Sequence, residues 1–408
     1  MDNTPEAREN CIRVLHVLGT LDMGGAESRV MDLYRHMDKD RVQFDFLIHD
    51  QTPPGGSSRP KGYYEDEVTS MGGRIYILPR FRGSNYLEYR NAVRAFFAAH
   101  HEWAVVEGHM TSTASIYLPE AKKAGIRVTA AHARSAGTDS GLHGMAIRLL
   151  RSSLPGKCDY MMSCSSLASE AVFGKKAAES GAVMIVPNAV DTKNFSFDEE
   201  KRSVIRKEFG IPESAFVIGH VGRFDAMKNQ GYLAEVGRIL REIAPDRQIR
   251  FLFVGTNAKE AGDWMAKVQE NFDAAGLSGA PVFAGRCDRE RTVAMYQAFD
   301  AFAFPSLYEG LPGTVIEAQA SGLPCYIADT VTEEVCVTSL ARRLSLEDPA
   351  AWAEEIAQNL TNTESAYKDF GVRRERSLRA LADLAQAGYD AAVSAKRMQQ
   401  WYLEKAGR

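Results

Sequence analysis

The chain has 408 residues and a formal net charge of −4, from 49 basic and 53 acidic side chains. At about 100–200 residues per domain, this length favours two or three domains. Apolar residues make up 45% and charged residues 25%, the balance of a globular protein with buried cores. Because the charge is only mildly acidic, no overall field attracts nucleic acid, and any anion site must be built locally.

Short apolar runs alternate with helix-length amphipathic segments along the chain, the pattern of parallel α/β folds. Seven strands are predicted in the first half: Ile12–Leu18, Val42–Ile48, Arg74–Leu78, Ala104–Val106, Ile126–Ala131, Tyr160–Cys164 and Met184–Val186. In the helix after the first strand, apolar residues recur at helical spacing and predict a buried stripe: Ala26, Val30, Tyr34 and Met37. Residues 51–62, with three prolines and three glycines, predict an inserted loop.

A polar, charged stretch from Thr192 to Lys207 interrupts this alternation, which then restarts. Five further strands are predicted: Phe216–Val221, Ile249–Val254, Val282–Ala284, Ala301–Phe304 and Cys325–Ile327. Beyond about residue 346 the pattern is helical. The last helix, predicted around Ala387–Lys405, carries too much apolar surface for a free tail and must dock on a domain.

Two complete strand–helix series predict two doubly wound α/β domains facing across a cleft. The predicted divisions are residues 1–192, residues 193–385, and a C-terminal helix over 386–408. In such sheets, ligands bind at the carboxyl ends of the strands, where helix N-termini present unpaired N–H groups. Chemistry is therefore expected in the segments that follow strands.

The strongest such segment runs from Pro305 to Gly322, where a strand enters a tight loop and then a helix. Backbone N–H groups of Gly310, Leu311 and Gly313 are predicted to donate to an anion at the start of that helix. Glu309 and Glu317, eight residues apart, suit sugar hydroxyls better than phosphate, because carboxylates accept hydrogen bonds. For each glutamate alone, a helix-capping or surface role remains the alternative.

A second segment reads Gly219-His-Val-Gly222-Arg223-Phe-Asp-Ala-Met-Lys228, with a helix predicted to begin near Lys228. Arg223 and Lys228 bring two cations to one strand end. A planar guanidinium and a mobile ammonium together form a clamp for a diphosphate.

Weaker signals lie in the first half. Paired glycines, Gly24 and Gly25, follow the first strand and permit close backbone approach by a ligand, although a plain turn is equally compatible. They do not form the G-x-G-x-x-G pattern of a nicotinamide site. His109 and His132, with Arg134 beside the latter, are predicted to follow two strand ends. Neither histidine belongs to a metal-binding pattern, so no metal is expected.

Taken together, these residues resemble the retaining, GT-B-fold glycosyltransferases of family 4, especially the bacterial enzymes of exopolysaccharide and capsule assembly. The resemblance runs from Val14 to about Leu344. It includes the Gly24-Gly25-Ala26-Glu27 loop, the Val186-Pro187-Asn188 segment, Val221-Gly222-Arg223 with Lys228, and the paired glutamates Glu309 and Glu317.

The resemblance implies a donor held mainly by the second domain. Arg223 and Lys228 would bind its diphosphate, Glu309 the transferred sugar and Glu317 the ribose. Further donor residues implied by the resemblance are Gly24, Gly25, Gly222, Gly255, Arg286, Gly310, Leu311 and Gly313. His132 would lie near the donor sugar, and His109 and Arg134 on the acceptor side. The last helix would cross back to the first domain.

The implied reaction is metal-independent transfer, with retention, from a nucleotide diphosphate sugar to a glycan or polyprenyl-linked acceptor. UDP-hexose and UDP-N-acetylhexosamine are the expected donors. Glu107-Gly-His109, where relatives often read His-x-His, departs from the family on the acceptor side. Two alternatives remain open: a non-catalytic accessory subunit, and a related enzyme such as a sugar-nucleotide 2-epimerase. The oligomeric state is unknown from sequence.

Location follows from three further features. The six cysteines form no C-x-x-C pair and are expected to be reduced thiols. The first ten residues are polar, unlike a signal peptide, and no apolar run approaches the roughly 20 residues of a bilayer span. We therefore expect a cytoplasmic protein. The amphipathic stretch from Leu142 to Arg151 predicts a peripheral contact with the inner face of an anionic membrane, although a normally docked helix fits it too.

Overall fold

The computed structural model describes residues 11–52, 58–134, 137, 141–258, 262–362 and 369–407. The chain divides into two compact units, the first comprising residues 1–189 with 391–408 and the second residues 190–390. The divisions expected from the sequence lie within five residues of these. Residues 53–57 of the inserted loop are outside the described residues.

The first unit is built on a sheet of seven parallel strands in the order β3-β2-β1-β4-β5-β6-β7. Their bounds are β1 Ile12–Val17, β2 Val42–His49, β3 Ile75–Leu78, β4 Val105–Gly108, β5 Val128–Ala133, β6 Tyr160–Ser163 and β7 Val183–Ile185. The central strands are buried on both faces, as parallel sheets covered by helices require.

Helices connect these strands: α1 Gly25–His36, α2 Glu65–Ser70, α3 Tyr86–Ala99, α4 Thr111–Lys123, α5 Gly141–Ser152, α6 Ser166–Phe173 and α7 Lys175–Glu179. In α1, Val30 and Tyr34 are buried, and so is Met37 just after it, while Ala26 is partly buried against the same core. The predicted apolar stripe is therefore confirmed, with Ala26 at its less buried end. Helix α6 begins where the Ser165 hydroxyl accepts from the Ala168 amide.

The last helix, α15 Ala391–Ala406, belongs to the first unit. Its apolar face joins the core formed by α1, β1 and β2 and contributes Ala395, Met398, Tyr402, Leu403 and Ala406. Burial of this face explains why a terminal helix carries so much apolar surface.

The second unit contains six parallel strands in the order β10-β9-β8-β11-β12-β13. Their bounds are β8 Phe216–Val221, β9 Ile249–Val254, β10 Pro281–Phe283, β11 Ala301–Phe304, β12 Cys325–Ala328 and β13 Ala341–Leu344. Its helices are α8 Glu199–Glu208, α9 Tyr232–Ile243, α10 Trp264–Ala274, α11 Arg289–Ala298, α12 Gly313–Ala320, α13 Pro349–Asn362 and α14 Phe370–Gln386. Carboxylates of Asp198, Asp263 and Asp288 accept from first-turn amides and fix the starts of α8, α10 and α11.

Several element ends differ from the sequence prediction by a few residues, and three differences matter more. Strand β5 continues to Ala133, so His132 lies inside a strand rather than after one. Helix α9 begins at Tyr232, not near Lys228, because Asn229 adopts a left-handed conformation (φ 52°) that ends the preceding turn. Strand β13 was not predicted, because its two arginines are exposed on an edge strand and hide the apolar pattern.

Candidate active site

Each sheet has one point where the strand order reverses direction. In the first unit this lies between β1 and β4, and in the second between β8 and β11. Crevices at the carboxyl ends of such strand pairs are the usual ligand sites of open α/β sheets. The segments after β8 and β11 contain Arg223, Lys228 and Glu309, and those after β1 and β4 contain Gly24, Gly25 and His109.

The segment after β8 holds two cations in different surroundings. The Arg223 side chain is 75% exposed, and its closest carboxylate oxygen is 3.9 Å away on Asp225. Gln230 is buried and donates from Nε2 to the Arg223 carbonyl at 2.7 Å, which fixes the backbone beneath the guanidinium. Arg223 is thus free to reach an incoming anion from a rigid base.

Lys228, by contrast, is largely buried and already paired. Its Nζ lies 2.5 Å from Glu309 Oε1 and 4.7 Å from the Phe304 ring centroid, and only 14% of its side chain is exposed. The Leu307 amide donates to the Met227 carbonyl at 2.8 Å, so the two loops are also joined through their backbones. The ion pair bridges the strand-order reversal of the second unit and brings the two strongest sequence motifs together.

Glycines allow the loops after β8 and β9 to pack closely. Gly255 has φ 141°, and a Cβ there would overlap the Gly222 carbonyl. Its amide donates to the Gly285 carbonyl at 2.9 Å. Gly222, Gly255 and Gly285 therefore form a stretch of backbone without side chains beside Arg223, called the glycine shelf below. The Arg286 side chain is exposed next to it.

The loop from Glu309 to Gly313 leads into α12, with Pro312 at the N-cap position. Pro312 presents no capping side chain, which leaves the first amides of the helix without that partner. Glu317 is buried in the second turn and accepts a 2.9 Å hydrogen bond from the Tyr296 hydroxyl. Gly310 and Leu311 are buried, whereas Gly313 is partly exposed.

Three polar groups here were missed by the sequence analysis. The hydroxyls of Ser306 and Thr314 and the Nε2 atom of His220 are buried without a hydrogen-bond partner among the described residues. His220 Nδ1 lies 2.9 Å from the Ala303 carbonyl, and burial lowers the pKa of His220 to about 3, so its ring is neutral. Buried polar groups normally have partners, so these three hydrogen-bonding groups remain available at the candidate site. Single serine, threonine and histidine residues are too common in sequences to have signalled this.

In the first unit, Gly24 caps α1 and Gly25 opens it. No atom lies within 4 Å of a Cβ placed on Gly25, so the helix start faces open space. Glu27 in the first turn accepts from the Thr20 hydroxyl at 3.3 Å, and burial raises the pKa of its carboxyl.

The histidines predicted in the first unit meet around a carboxylate. Glu107 Oε1 lies 2.7 Å from His132 Nδ1, and His109 Nε2 lies 3.0 Å from His16 Nδ1. Arg134 Nε donates to His109 Nδ1 at 3.2 Å, and its Nη1 donates to Asn188 Oδ1 at 3.3 Å. The structure therefore brings the predicted His109, His132 and Arg134 together, in a more buried setting than the sequence suggested.

Within the described residues, His16, Glu107 and His109 offer three ligand atoms within 4.8 Å of one another, a geometry compatible with a metal ion. Arg134 Nη2 lies 4.0 Å from Glu107 Oε1, however, and occupies this region with a positive charge. A divalent ion would be repelled by that guanidinium. The arrangement is better suited to a hydrogen-bonded network.

Comparison with solved structures gives the class of the fold. The complex of Anabaena Alr3699/HepE with UDP-glucose superposes with a TM-score of 0.75 at 15% identity, covering 96% of this chain and 99% of that one. Sucrose-phosphate synthase from Thermosynechococcus elongatus gives 0.76 at 16% identity, covering 96% and 98%. Two doubly wound units with this topology define a GT-B glycosyltransferase fold.

Sequence comparison gives the family. Residues 201–373 match the family model described as glycosyl transferases group 1. The putative glycosyltransferase EpsF of Bacillus subtilis is 33% identical over 351 residues, covering 85% of this chain and 87% of that protein. An Escherichia coli UDP-Gal:alpha-D-GlcNAc-diphosphoundecaprenol alpha-1,3-galactosyltransferase is 31% identical over 36% of each chain. The chain belongs to the group 1 glycosyltransferase family and is a glycosyltransferase.

Proposed function

We propose that the enzyme transfers a hexose or N-acetylhexosamine from a UDP-sugar to a glycan or polyprenyl-linked acceptor, with retention and without a metal, in the synthesis of a cell-surface polysaccharide. The observation that carries this proposal is the Lys228–Glu309 pair at the strand-order reversal of the second unit. The names of the relatives support it: one acts with UDP-galactose on a diphosphoundecaprenol-linked sugar, and the HepE structure contains UDP-glucose.

In this proposal the diphosphate binds at the start of α12. Arg223 offers a planar fork from an exposed position, and Lys228 offers a buried point charge. Amides of the Gly310–Gly313 loop and the N-terminal dipole of α12 add further stabilisation for negative charge. The base and ribose lie along the glycine shelf near Gly255 and Arg286, with the Glu317 carboxylate accepting from ribose hydroxyls.

Donor binding would then exchange the partners of one ion pair. A phosphate oxygen takes the place of Glu309 Oε1 at Lys228, and Glu309 becomes available to accept from the hydroxyls of the sugar. Before the donor arrives, the Glu309 carboxylate balances the charge of the Lys228 ammonium, which would otherwise be unpaired and largely buried beside Phe304. The exchange couples recognition of the phosphate to recognition of the sugar.

During transfer, negative charge develops on the leaving diphosphate. Cations and amides already fixed in place stabilise that charge without reorganisation, which is the largest contribution in many enzymes. The leaving phosphate can accept the acceptor's proton, so retention needs no separate protein base. His132 is proposed to lie beside the sugar being transferred, and His109 and Arg134 towards the acceptor.

A donor screen tests this assignment. UDP-glucose, UDP-galactose, their N-acetylhexosamine counterparts, GDP-mannose and ADP-glucose should be compared by thermal stabilisation. A ligand that binds the native state raises its melting temperature, so we expect the UDP-sugars alone to do so. Stabilisation by GDP- or ADP-sugars instead would overturn the choice of base, and no stabilisation by any donor would favour a non-catalytic accessory subunit.

A membrane contact is a further part of the proposal. No helix among the described residues is long and apolar enough to cross a bilayer. On α5, however, Met145 and Leu149 are 59% and 74% exposed, with Arg148 exposed between them. An apolar face with a cation at its edge suits an anionic bilayer, where a lipid-linked acceptor would reside.

We expect the double substitution Met145→Ser and Leu149→Ser to reduce flotation with phosphatidylglycerol liposomes, because it removes the apolar area that enters the bilayer. Val204→Ser is the control, since Val204 is also an exposed apolar side chain (57%) but lies on α8. Equal flotation of the double variant, the control and the wild type would contradict the assignment of α5 to the membrane.

A further inference from the structure

A buried carboxylate lies at the centre of the first unit's polar cluster. Glu107 lies on β4 opposite His16 of β1, at the strand pair where the order reverses, and is 1% exposed. An isolated charge in such a place costs several kcal/mol, so its hydrogen-bond partners determine whether it stays ionised.

Both oxygens of Glu107 have partners. Oε1 lies 2.7 Å from His132 Nδ1, and Oε2 accepts from the Tyr402 hydroxyl at 2.5 Å. Burial raises the pKa of Glu107, but the hydrogen bond from His132 opposes this effect, and the pKa lies well below its usual value. The carboxylate is therefore ionised, and Tyr402 supplies one of the two direct hydrogen bonds that it has within the described part of the chain.

The ionised carboxylate fixes the proton of His132. Burial lowers the pKa of His132 to about 4, so the ring is neutral near pH 7 and carries one proton. At 2.7 Å from a carboxylate, that proton lies on Nδ1. The Glu107 carboxylate thereby sets the tautomer of the His132 ring, as carboxylates do for metal-bound histidines.

The same cluster also fixes the hydrogen bonds among Arg134, His109 and His16. Arg134 donates to Nδ1 of His109, so the His109 proton lies on Nε2, which donates to His16 Nδ1 at 3.0 Å. His109 Nε2 is also 3.7 Å from Glu107 Oε1. A change in the charge of Glu107 therefore affects both His132 and the hydrogen-bonded pair of His109 and His16.

We propose that Tyr402, on the last helix, is a positioning residue for the transfer reaction. Through Glu107, it holds His132 in the Nδ1-protonated tautomer and keeps the charge that balances Arg134. Nothing about Tyr402 in the sequence marks this role, since it is 295 residues from Glu107 in the chain. The inference rests on the proposed function, in which His132 lies beside the transferred sugar.

Removal of one hydroxyl tests the proposal. Tyr402→Phe keeps the ring packed against Phe44 and takes away only the donor to Oε2. Glu107 then retains fewer hydrogen bonds to its charged form, and its pKa rises. We expect kcat to fall about tenfold, the lower end of the losses seen when outer partners of metal-bound histidines are removed, with the donor KM unchanged. We also expect the acid limb of the kcat–pH profile to move to higher pH.

Tyr34→Phe provides the matched control. Tyr34 is a fully buried tyrosine of the same unit that also packs against Phe44, but its hydroxyl donates to Gln43 Oε1 at 2.8 Å, away from Glu107. It should lower stability without moving the pH profile. Glu107→Gln is the second variant, and it should lower kcat and remove the titration of Glu107 from the acid limb.

Nitrogen NMR of the histidine rings separates this inference from the proposed function. Wild-type His132, assigned with His132→Gln, should show protonated Nδ1, and Tyr402→Phe should shift that signal at a higher pH than in the wild type. If the wild type transfers no sugar but the signal behaves as expected, the proposed function fails and the network stands. If the wild type is active and Tyr402→Phe matches Tyr34→Phe in both profile and spectrum, the positioning role is overturned.

Discussion

Replacement of Lys228 by alanine is expected to lower kcat by about 10²–10³-fold, equivalent to about 3–4 kcal/mol of transition-state stabilisation. Lys228 is the largely buried cation of the clamp, and its ammonium is fixed by Phe304 and Glu309 before the donor binds. Such a preorganised charge acts where negative charge develops on the leaving diphosphate. Single-turnover kinetics with saturating donor would measure the loss directly.

Lys267→Ala is the control for this substitution. Lys267 also lies over an aromatic ring, with Nζ 4.1 Å from the Trp264 centroid, but on helix α10. It should leave kcat unchanged. A Lys228→Ala enzyme with wild-type kcat would show that the diphosphate is not stabilised by this residue, and the exchange of partners with Glu309 would have to be abandoned.

Gly255→Ala is expected to lower the free energy of unfolding by about 3 kcal/mol or more. Alanine is strained at φ 141°, and its methyl group would overlap the Gly222 carbonyl, which is backbone and cannot rotate away. The loops after β8 and β9 would have to separate, and the glycine shelf would be lost. Urea denaturation would measure the stability, and calorimetry with UDP the accompanying loss of affinity.

Gly210→Ala distinguishes the cost of backbone strain from the cost of steric overlap with a neighbouring loop. Gly210 also has a positive φ, 61°, and lies in the second unit, but no atom lies within 4 Å of its added Cβ. Its substitution should cost only about 1–2 kcal/mol, the penalty of the left-handed conformation. Equal stability losses for the two alanine variants would contradict the close packing of the two loops.

Much of the fold could be predicted from the sequence, because each central strand is a short apolar run followed by a helix. Strands β8, β9 and β11 begin and end where the sequence pattern indicated. The edge strand β13 was missed, since edge strands expose polar side chains and lack a continuous apolar run. The start of α9 was misplaced because a single left-handed residue, Asn229, delays it.

The donor side of the candidate site was also predictable in part. Arg223 and Lys228 follow β8, and Glu309 follows β11. These strands are adjacent in the sheet, so topology alone brings the three residues to one edge. The direct Lys228–Glu309 pair could not be predicted, because it depends on side-chain rotamers and on the backbone bond between Leu307 and Met227.

The site residues of the first unit were harder to predict from the sequence. His132 was expected after a strand and proved to lie within one, fully buried beside Glu107. The contact with Tyr402 depends on where the last helix docks, which local sequence patterns do not contain. Long-range polar contacts of this kind require the folded chain.

A crystal structure of the enzyme with UDP would test the central claim most directly. We expect the β-phosphate within hydrogen-bonding distance of Lys228 Nζ and the Gly313 amide. We also expect the Arg223 guanidinium to turn towards the diphosphate and Glu309 to be released from Lys228. UDP bound elsewhere, with the Lys228–Glu309 pair still intact, would contradict the claim.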